Sequence, residues 1–454
     1  MRTLAVISLF FLPVVNCTSQ SFETAGMPTP VAQIRDISID TIGNKMYTVG
    51  IQTLDGSGML SLNTAYMYDG TTWTSMDTLY NVTYCSAFYN GELIIGGGFV
   101  DSAGVNQKYL SKWTGTKWVH FGDSINNTVL GMRIIGNDLY CMGHFTHIGN
   151  INVKGIAKWD GSTWSNVYNC PFTGIVDCTI YNGDLYVAGN FDSTEIDIID
   201  IAVYKAGTWQ KVGVTDYVKG GLGSISCMEI YKNELYIAGF IAKFEGNVGH
   251  GIQKWNGTNW SEAGTGVQDN TNGYSTWAPV YDLMVYQNKL YVGGAYWYSG
   301  NIYSRGFSTW DGNQWCAIDT TFTGSVKHAV FQDTLFASSA TDTVAGIYVN
   351  NLAKFTDLAV DSCSIAFSID ENENSSILDI YPNPTNGNVT ITLNKMLPDA
   401  GLSIINALGE VILKRDLSFL NEIELDISNF PNGIYFVQIA NNQVRSTKKI
   451  ILRK

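Results

Sequence analysis

The sequence predicts an all-β chain, a seven-bladed β-propeller followed by a small β-sandwich. Three observations carry this: a repeat at the interval of a propeller blade, a turn-rich composition, and a change of pattern near residue 378. Internal repeats at a fixed period are the strongest architectural signal a sequence offers. One unit is a turn followed by a strand: GNKMYTVG (43–50), NGELIIGGGF (90–99), GNDLYCMGHF (136–145) and NGDLYVAGNF (182–191). It continues as KNELYIAGF (232–240), QNKLYVGGAY (287–296) and QDTLFASS (332–339). The anchors Met46, Leu93, Leu139, Leu185, Leu235, Leu290 and Leu335 are separated by 47, 46, 46, 50, 55 and 45 residues. That spacing is the length of one four-stranded blade.

A second unit follows each anchor by 19 to 22 residues: MYDGTTW (67–73), KWTGTKW (112–118), KWDGSTW (158–164), VYKAGTW (203–209), KWNGTNW (254–260) and STWDGNQW (308–315). Two aromatics stand five apart across a turn rich in Gly, Asp, Asn and Thr. This is hairpin chemistry, because Gly and Asn accept positive φ and the flanking rings pack on paired strands. In L-Y-V-G-G the alternation sends Leu and Val to one face and Tyr to the other. A sheet apolar on both faces needs neighbours on both sides, so the blades must stack around a ring.

The seventh copy, KFTDL (354–358), lacks its outer strand. The N-terminus is expected to supply it, since SFETAG (21–26) matches WSEAG (260–264), with Phe22 at the Trp position. Pairing the two ends would close the ring without leaving an open sheet edge. The propeller is placed at 20–360 and a polar link at 361–377.

Only 15% of the 454 residues are charged, 13% are aromatic and 46 are Gly, a mixture that suits short strands and argues against helices or disorder. The formal charge of −13 makes nucleic acid a poor partner, since that partner needs a basic face. Residues 1–17 read as a Sec-type export signal: Arg2, then an apolar run from Leu4 to Val15. Cleavage after Cys17 competes with lipidation of Cys17. No later segment is apolar enough for an integral membrane helix. Removal of Cys17 leaves seven cysteines, an odd number, so at least one stays unpaired. Cys170 with Cys178, and Cys316 with Cys363, are the pairs considered. Cys85 and Cys227, at equivalent repeat positions, read as small buried apolar residues.

With these hairpins in view, residues 20–360 resemble kelch-type and related secreted bacterial propellers. The likeness rests on architecture and on the W-D-G-x-x-W hairpin, and it specifies no activity. Trp-Asp pairs occur at Trp159–Asp160 and Trp310–Asp311 without the Gly-His partner of WD40 repeats. Sialidase Asp-boxes need a residue between Asp and Gly, whereas Asp160–Gly161 and Asp311–Gly312 are adjacent.

After the link SIDENENSS (368–376), residues 378–454 alternate with turns at Pro382–Pro384, Gly387, Gly409 and Asn432–Gly433, which predicts a compact β-sandwich. This module closely resembles the type A sorting domains of the type IX secretion system. The matching residues are Tyr381, Pro382, Asn383, Pro384 and Gly387, then Asn432, Gly433, Ile434 and Tyr435, then the closing KKIILRK with Lys448 and Lys449. The resemblance implies transport from the periplasm across the outer membrane, with the type IX machinery as partner. The chain is then secreted or held at the cell surface.

No catalytic signature is found: there is no G-x-S-x-G elbow, and no paired acidic motif recurs in the blades. His144 and His147 stand three residues apart but lack an identifiable third ligand, so no metal or cofactor is expected. Blade six departs from the repeat, with Trp297 and Tyr298 after its second strand and Tyr274 and Trp277 in the long connection entering it. In a propeller these two connections emerge on the same face, so the four aromatics are candidates for an exposed ligand platform. Flat rings suit sugar faces and protein partners alike. The reading is a secreted non-catalytic propeller for binding a polysaccharide or surface protein. The alternative is a carbohydrate-active hydrolase or lyase with its site at the channel.

Overall fold

The computed structural model describes residues 22–28, 33–51, 62–77, 79–100, 107–193, 198–213, 225–241, 250–269, 278–318, 324, 327–339, 341, 343–344, 347–355, 378–393, 400–406, 411–416, 422–440 and 445–454. The proposed export signal and link, and the candidate residues Tyr274 and Trp277, lie outside them. The described residues form strands and turns without a helix. The chain divides into two compact units, Met1–Ser364 and Ile365–Lys454.

The first unit contains five sheets of four strands and one of eight. The eight-stranded sheet is two such four-stranded sets joined where Leu62 and Asn63 pair with Tyr80 and Leu79. In all but the last set the strand order follows the chain, from an inner strand through two middle strands to an outer one. The inner strands touch in succession: Gln33–Asp40 against Leu79–Tyr89, then Val129–Ile135, Ile175–Tyr181, Ile225–Tyr231, Val280–Tyr286 and His328–Phe331, which returns to Gln33–Asp40. The unit is therefore a closed propeller ring. In the last set the outer strand is Phe22–Thr24, paired antiparallel with Leu352–Phe355 in the register Phe22↔Phe355.

The local chemistry explains the strands. Most turns from inner to second strand place both central residues at positive φ, as at Asn90 (49°) and Gly91 (83°), or Lys232 (48°) and Asn233 (62°). That conformation matches the right-handed strand twist and selects Asn and Gly. In the outer hairpins the two aromatics pair directly, as Trp159↔Trp164 and Trp310↔Trp315, with ring centroids 5.2 Å apart in both. At their tips Gly161 (φ 101°) and Gly312 (φ 96°) hold a backbone that side chains disfavour. Asp160 Oδ1 accepts hydrogen bonds from the Ser162 and Thr163 amides, each at 2.8 Å.

The apolar core sits between sheets. Leu139 and Cys141 of one sheet pack with Ile94 and Leu110 of the sheet before it, all essentially inaccessible to water. Gly131 allows close approach, because a Cβ there would strike the Val176 carbonyl of the next sheet.

Polar pins cross the same seams. Trp73, Trp118, Trp260 and Trp315 donate their indole N–H to Ala25, Asp77, Val212 and Ala263 carbonyls of the preceding sheet at 2.8–3.0 Å. Tyr89, Tyr181 and Tyr231 donate to turn carbonyls of the following sheet, Asn137, Asn233 and Asn288, at 2.7–2.8 Å. Cys85, Cys141, Cys170, Cys178 and Cys227 are buried free thiols, so Cys170 and Cys178 are not bridged, while Cys316 is disulfide-bonded. Cys363 lies outside the described residues.

The second unit is a sandwich of two sheets. Strands Leu378–Tyr381, Asn388–Leu393 and Glu422–Asp426 form one, and Val411–Asp416, Gly401–Asn406, Gly433–Ala440 and Arg445–Leu452 the other. Alternate residues of both, among them Ile391, Leu425, Ile404, Val437 and Ile450, share one core.

Candidate functional site

The inner strands carry a repeated irregularity. A β-bulge lies between Ile34 and Asp36, Thr83 and Cys85, Ile175 and Asp177, Ile225 and Cys227, and Val280 and Asp282. A bulge adds a residue and re-aims the side chains after it. It sets Asp36, Asp177 and Asp282 at equivalent positions, a recurrence of carboxylates that the sequence analysis did not detect. Each reaches the next sheet: Asp36 Oδ2 accepts from the Ser86 amide at 2.6 Å, Asp177 Oδ2 from the Met228 amide at 2.8 Å, and Asp282 Oδ2 from the His328 amide at 2.9 Å.

Two cations pair with these carboxylates. Lys327 Nζ lies 3.0 Å from Asp282 Oδ1 and 3.8 Å from Asp36 Oδ1. Burial alone would raise the Asp282 carboxyl, but the Lys327 charge and the His328 bonds outweigh it and hold the group at about 2. Burial dominates at Asp36 and raises it, against Lys327 and the Ser86 amide. Arg133 forks onto both Asp177 oxygens at 2.9 Å and donates to the Met228 carbonyl at 2.8 Å. Arg133 therefore spans the two following sheets. His328 is stacked on Phe307 with centroids 4.6 Å apart, and its Nδ1 lies 2.9 Å from Asp282 Oδ2.

The aromatic candidates in blade six divide. Trp297 is 49% exposed, while Tyr298 is half-buried and edge-on to Tyr303 at 5.5 Å. The Arg305 guanidinium lies 5.3 Å from the Trp297 ring centre, and Tyr303 is 6.1 Å from it. A short hairpin, Tyr298–Ser299 with Ile302–Tyr303, fixes this group, and the Trp297 amide donates to the Gln268 carbonyl at 2.8 Å. His147 is exposed, with Nδ1 3.0 Å from Thr146 Oγ1. Among the described residues no cluster of three His, Cys, Asp or Glu side chains has metal-binding geometry.

In the second unit the motif residues close on the last strand. Asn383 Nδ2 donates to the Lys449 carbonyl at 2.7 Å and Asn383 Oδ1 accepts from the Ile451 amide at 2.9 Å. Thr385 continues the clasp, donating to the Ile451 carbonyl at 2.8 Å and accepting from the Arg453 amide at 2.8 Å. Asn432 Oδ1 receives the Lys454 amide at 2.9 Å, and Tyr435 donates to the Pro431 carbonyl at 2.7 Å. Gly387 (φ 146°) fits against Ser428, where a Cβ would collide. Pro382 and Pro384 follow cis bonds, and Tyr381 is 51% exposed. Lys448 pairs with Asp379 at 2.6 Å, and Lys449 is exposed. Gly433 pairs with Leu452 at the strand end.

Residues 379–453 match the family model of a secretion system C-terminal sorting domain. The chain thus ends in a sorting module of type IX secretion, which implies an encounter with that machinery and export to the surface or medium. No curated protein matches the sequence. Among solved structures the chain is similar to the β-propeller domain of the Trilobed protease from Pyrococcus furiosus, at 9% identity and a TM-score of 0.34, over 62% of this chain and 82% of that one. It is similar to Bacteroides ovatus Xyloglucan PUL GH43B at 10% identity and a TM-score of 0.30, over 94% and 92%. It is also similar to an ancestral GH74 enzyme at 10% identity and a TM-score of 0.31, over 93% and 73%. Among the described residues no helix is long and apolar enough to cross a membrane.

Proposed function

We propose that this chain is an exported, non-catalytic display scaffold: a seven-bladed, kelch-like propeller whose loops bind a polysaccharide or a surface protein. A signal over 1–17 takes it to the periplasm. The module from residue 378 then engages the type IX machinery through Tyr381, Pro382, Asn383, Pro384, Gly387, Asn432, Gly433, Tyr435, Lys448 and Lys449. One observation carries the non-catalytic reading: Asp36, Asp177 and Asp282 are each engaged with the next sheet and with Lys327 or Arg133. Trp297 and Tyr298, with Tyr274 and Trp277 in the adjoining connection, are the proposed contact residues. Rings open to water are the surfaces that sugars and protein partners use.

The test incubates the mature chain with a polysaccharide array and analyses both binding and products. Binding without product, weakened roughly tenfold by Trp297→Ala, is the expected result. Release of product would replace this reading with the hydrolase or lyase alternative. Unchanged binding by a folded Trp297→Ala protein would remove the platform.

A further inference from the structure

The bonds of the sorting motif run inward. Asn383, Thr385 and Asn432 direct their polar atoms to the last strand, Tyr435 bonds the Pro431 carbonyl, and Gly387 lies close against Ser428. These residues shape the module, so much of the surface it offers a partner comes from other positions.

The two outward faces of the sandwich differ in chemistry. In its three-stranded sheet Ile391, Ile423 and Leu425 enter the core, and strand alternation turns Asp379, Glu422, Glu424 and Asp426 out to water. That is an ordinary solvated face. In the four-stranded sheet Ile404, Tyr435, Val437 and Ile450 enter the core, so Ile405, Ile434, Phe436 and Ile451 turn outward. These four are neighbours. Ile405 stands opposite Val411 on one side and Phe436 on the other, Phe436 stands opposite Lys449, and Ile434 opposite Ile451. Facing residues on antiparallel strands have Cβ atoms about 4.5–5.5 Å apart, so the side chains form one apolar strip across all four strands.

The strip is open to a partner. Val411 is 48% and Ile434 46% exposed, while Ile405, Phe436 and Ile451 are half-buried. The next row along the same face, Ser403 with Gln438 and Thr447, is polar. The described charged side chains of this face are Lys414, opposite Ser403, and Lys449, and both are exposed. A chain of net charge −13 thus carries one face that is apolar with a cationic border. Apolar centres with polar borders mark contact surfaces, and charge at the border selects a partner of opposite sign.

We propose that this sheet face docks on the export machinery, against a protein surface that is apolar at its centre and bears carboxylates opposite Lys414 and Lys449. The inference rests on the export reading above and adds the surface by which the module is held. The clasped motif residues act through the strand they hold in this sheet.

The experiment expresses the full chain in a bacterium carrying a type IX machinery and measures its partition between the periplasm and the surface plus medium. Val411→Asp with Ile434→Asp is expected to lower the exported fraction roughly tenfold, with the melting temperature of the purified chain unchanged. Glu424→Gln, on the opposite face, leaves export as it was. Should the double variant melt lower, Lys414→Glu with Lys449→Glu decides, and a similar loss is expected there. Full export of either folded double variant overturns the assignment, whether or not that variant has lost self-association or binding to phosphatidylglycerol vesicles. Removal of residues 378–454 separates this inference from the reading beneath it. Continued export of the truncated chain refutes the export reading, whereas its retention beside full export of a folded double variant refutes the face alone.

Discussion

At the scale of single residues, the seams between sheets are held by side chains that each do one electrostatic task. Asp282 shows this most fully, with Oδ1 on Lys327 and Oδ2 on the His328 amide and ring. Its folded value of about 2 lies below the ordinary 3.8, so its stabilisation is present above about pH 4 and is lost as pH falls toward 2. The difference corresponds to about 2 kcal/mol. Asp36, raised by burial, acts with the opposite sign and gains stability as pH falls through its folded value. Urea unfolding across pH 2–6 checks this. Asp282→Asn is expected to be less stable near neutrality and to lose part of the acid-side decline, and parallel curves for the two proteins would refute the account. None of this was legible in the sequence. The bulge skips one residue, so Asp177 and Asp282, each eight residues before its anchor, look like ordinary members of an alternating strand. The partnerless Nε of Arg35 is likewise visible only once neighbouring strands are in place.

Whole elements were far more legible. Two aromatics five residues apart, with Gly at the tip, specify a hairpin through local rules alone, and they pair in register in the structure. The turns with two positive-φ residues follow from Asn and Gly in the same way. The next step, the indole N–H reaching the preceding sheet, depends on long-range packing. It supports a paired comparison. Trp315 donates to the Ala263 carbonyl at 2.8 Å, whereas the Trp164 Nε1 is buried without a partner. Replacement by Phe removes similar volume at both, so Trp315→Phe should cost about 1 kcal/mol more than Trp164→Phe in chemical denaturation. Equal losses would show that the hydrogen bond across the seam contributes nothing. The aromatic candidates show the same boundary. Composition marked the blade six insertions as unusual, yet the exposure of Trp297 and the cation against its ring are matters of packing.

At the scale of the molecule, the ring is joined by its own N-terminus. Residues Phe22–Thr24 complete the last sheet, the Ala25 carbonyl accepts from Trp73 in the first, and Asn350 donates to the Met27 and Pro28 carbonyls at 2.9 and 2.8 Å. A mature protein beginning at residue 29 should therefore melt lower and self-associate through the open edge of Leu352–Phe355, as read by calorimetry and size exclusion. A monomer with an unchanged melting temperature would show the strand to be dispensable. The Phe22↔Phe355 register also has a consequence in time. Its partners are 355 − 22 = 333 residues apart, a closure costing about 5 kcal/mol of chain entropy, and one cannot reach the other until every intervening repeat has been made. The final sheet is thus a completeness check. A chain truncated anywhere before residue 352 has nothing for its first strand to join, and that unsatisfied edge distinguishes it from a finished ring.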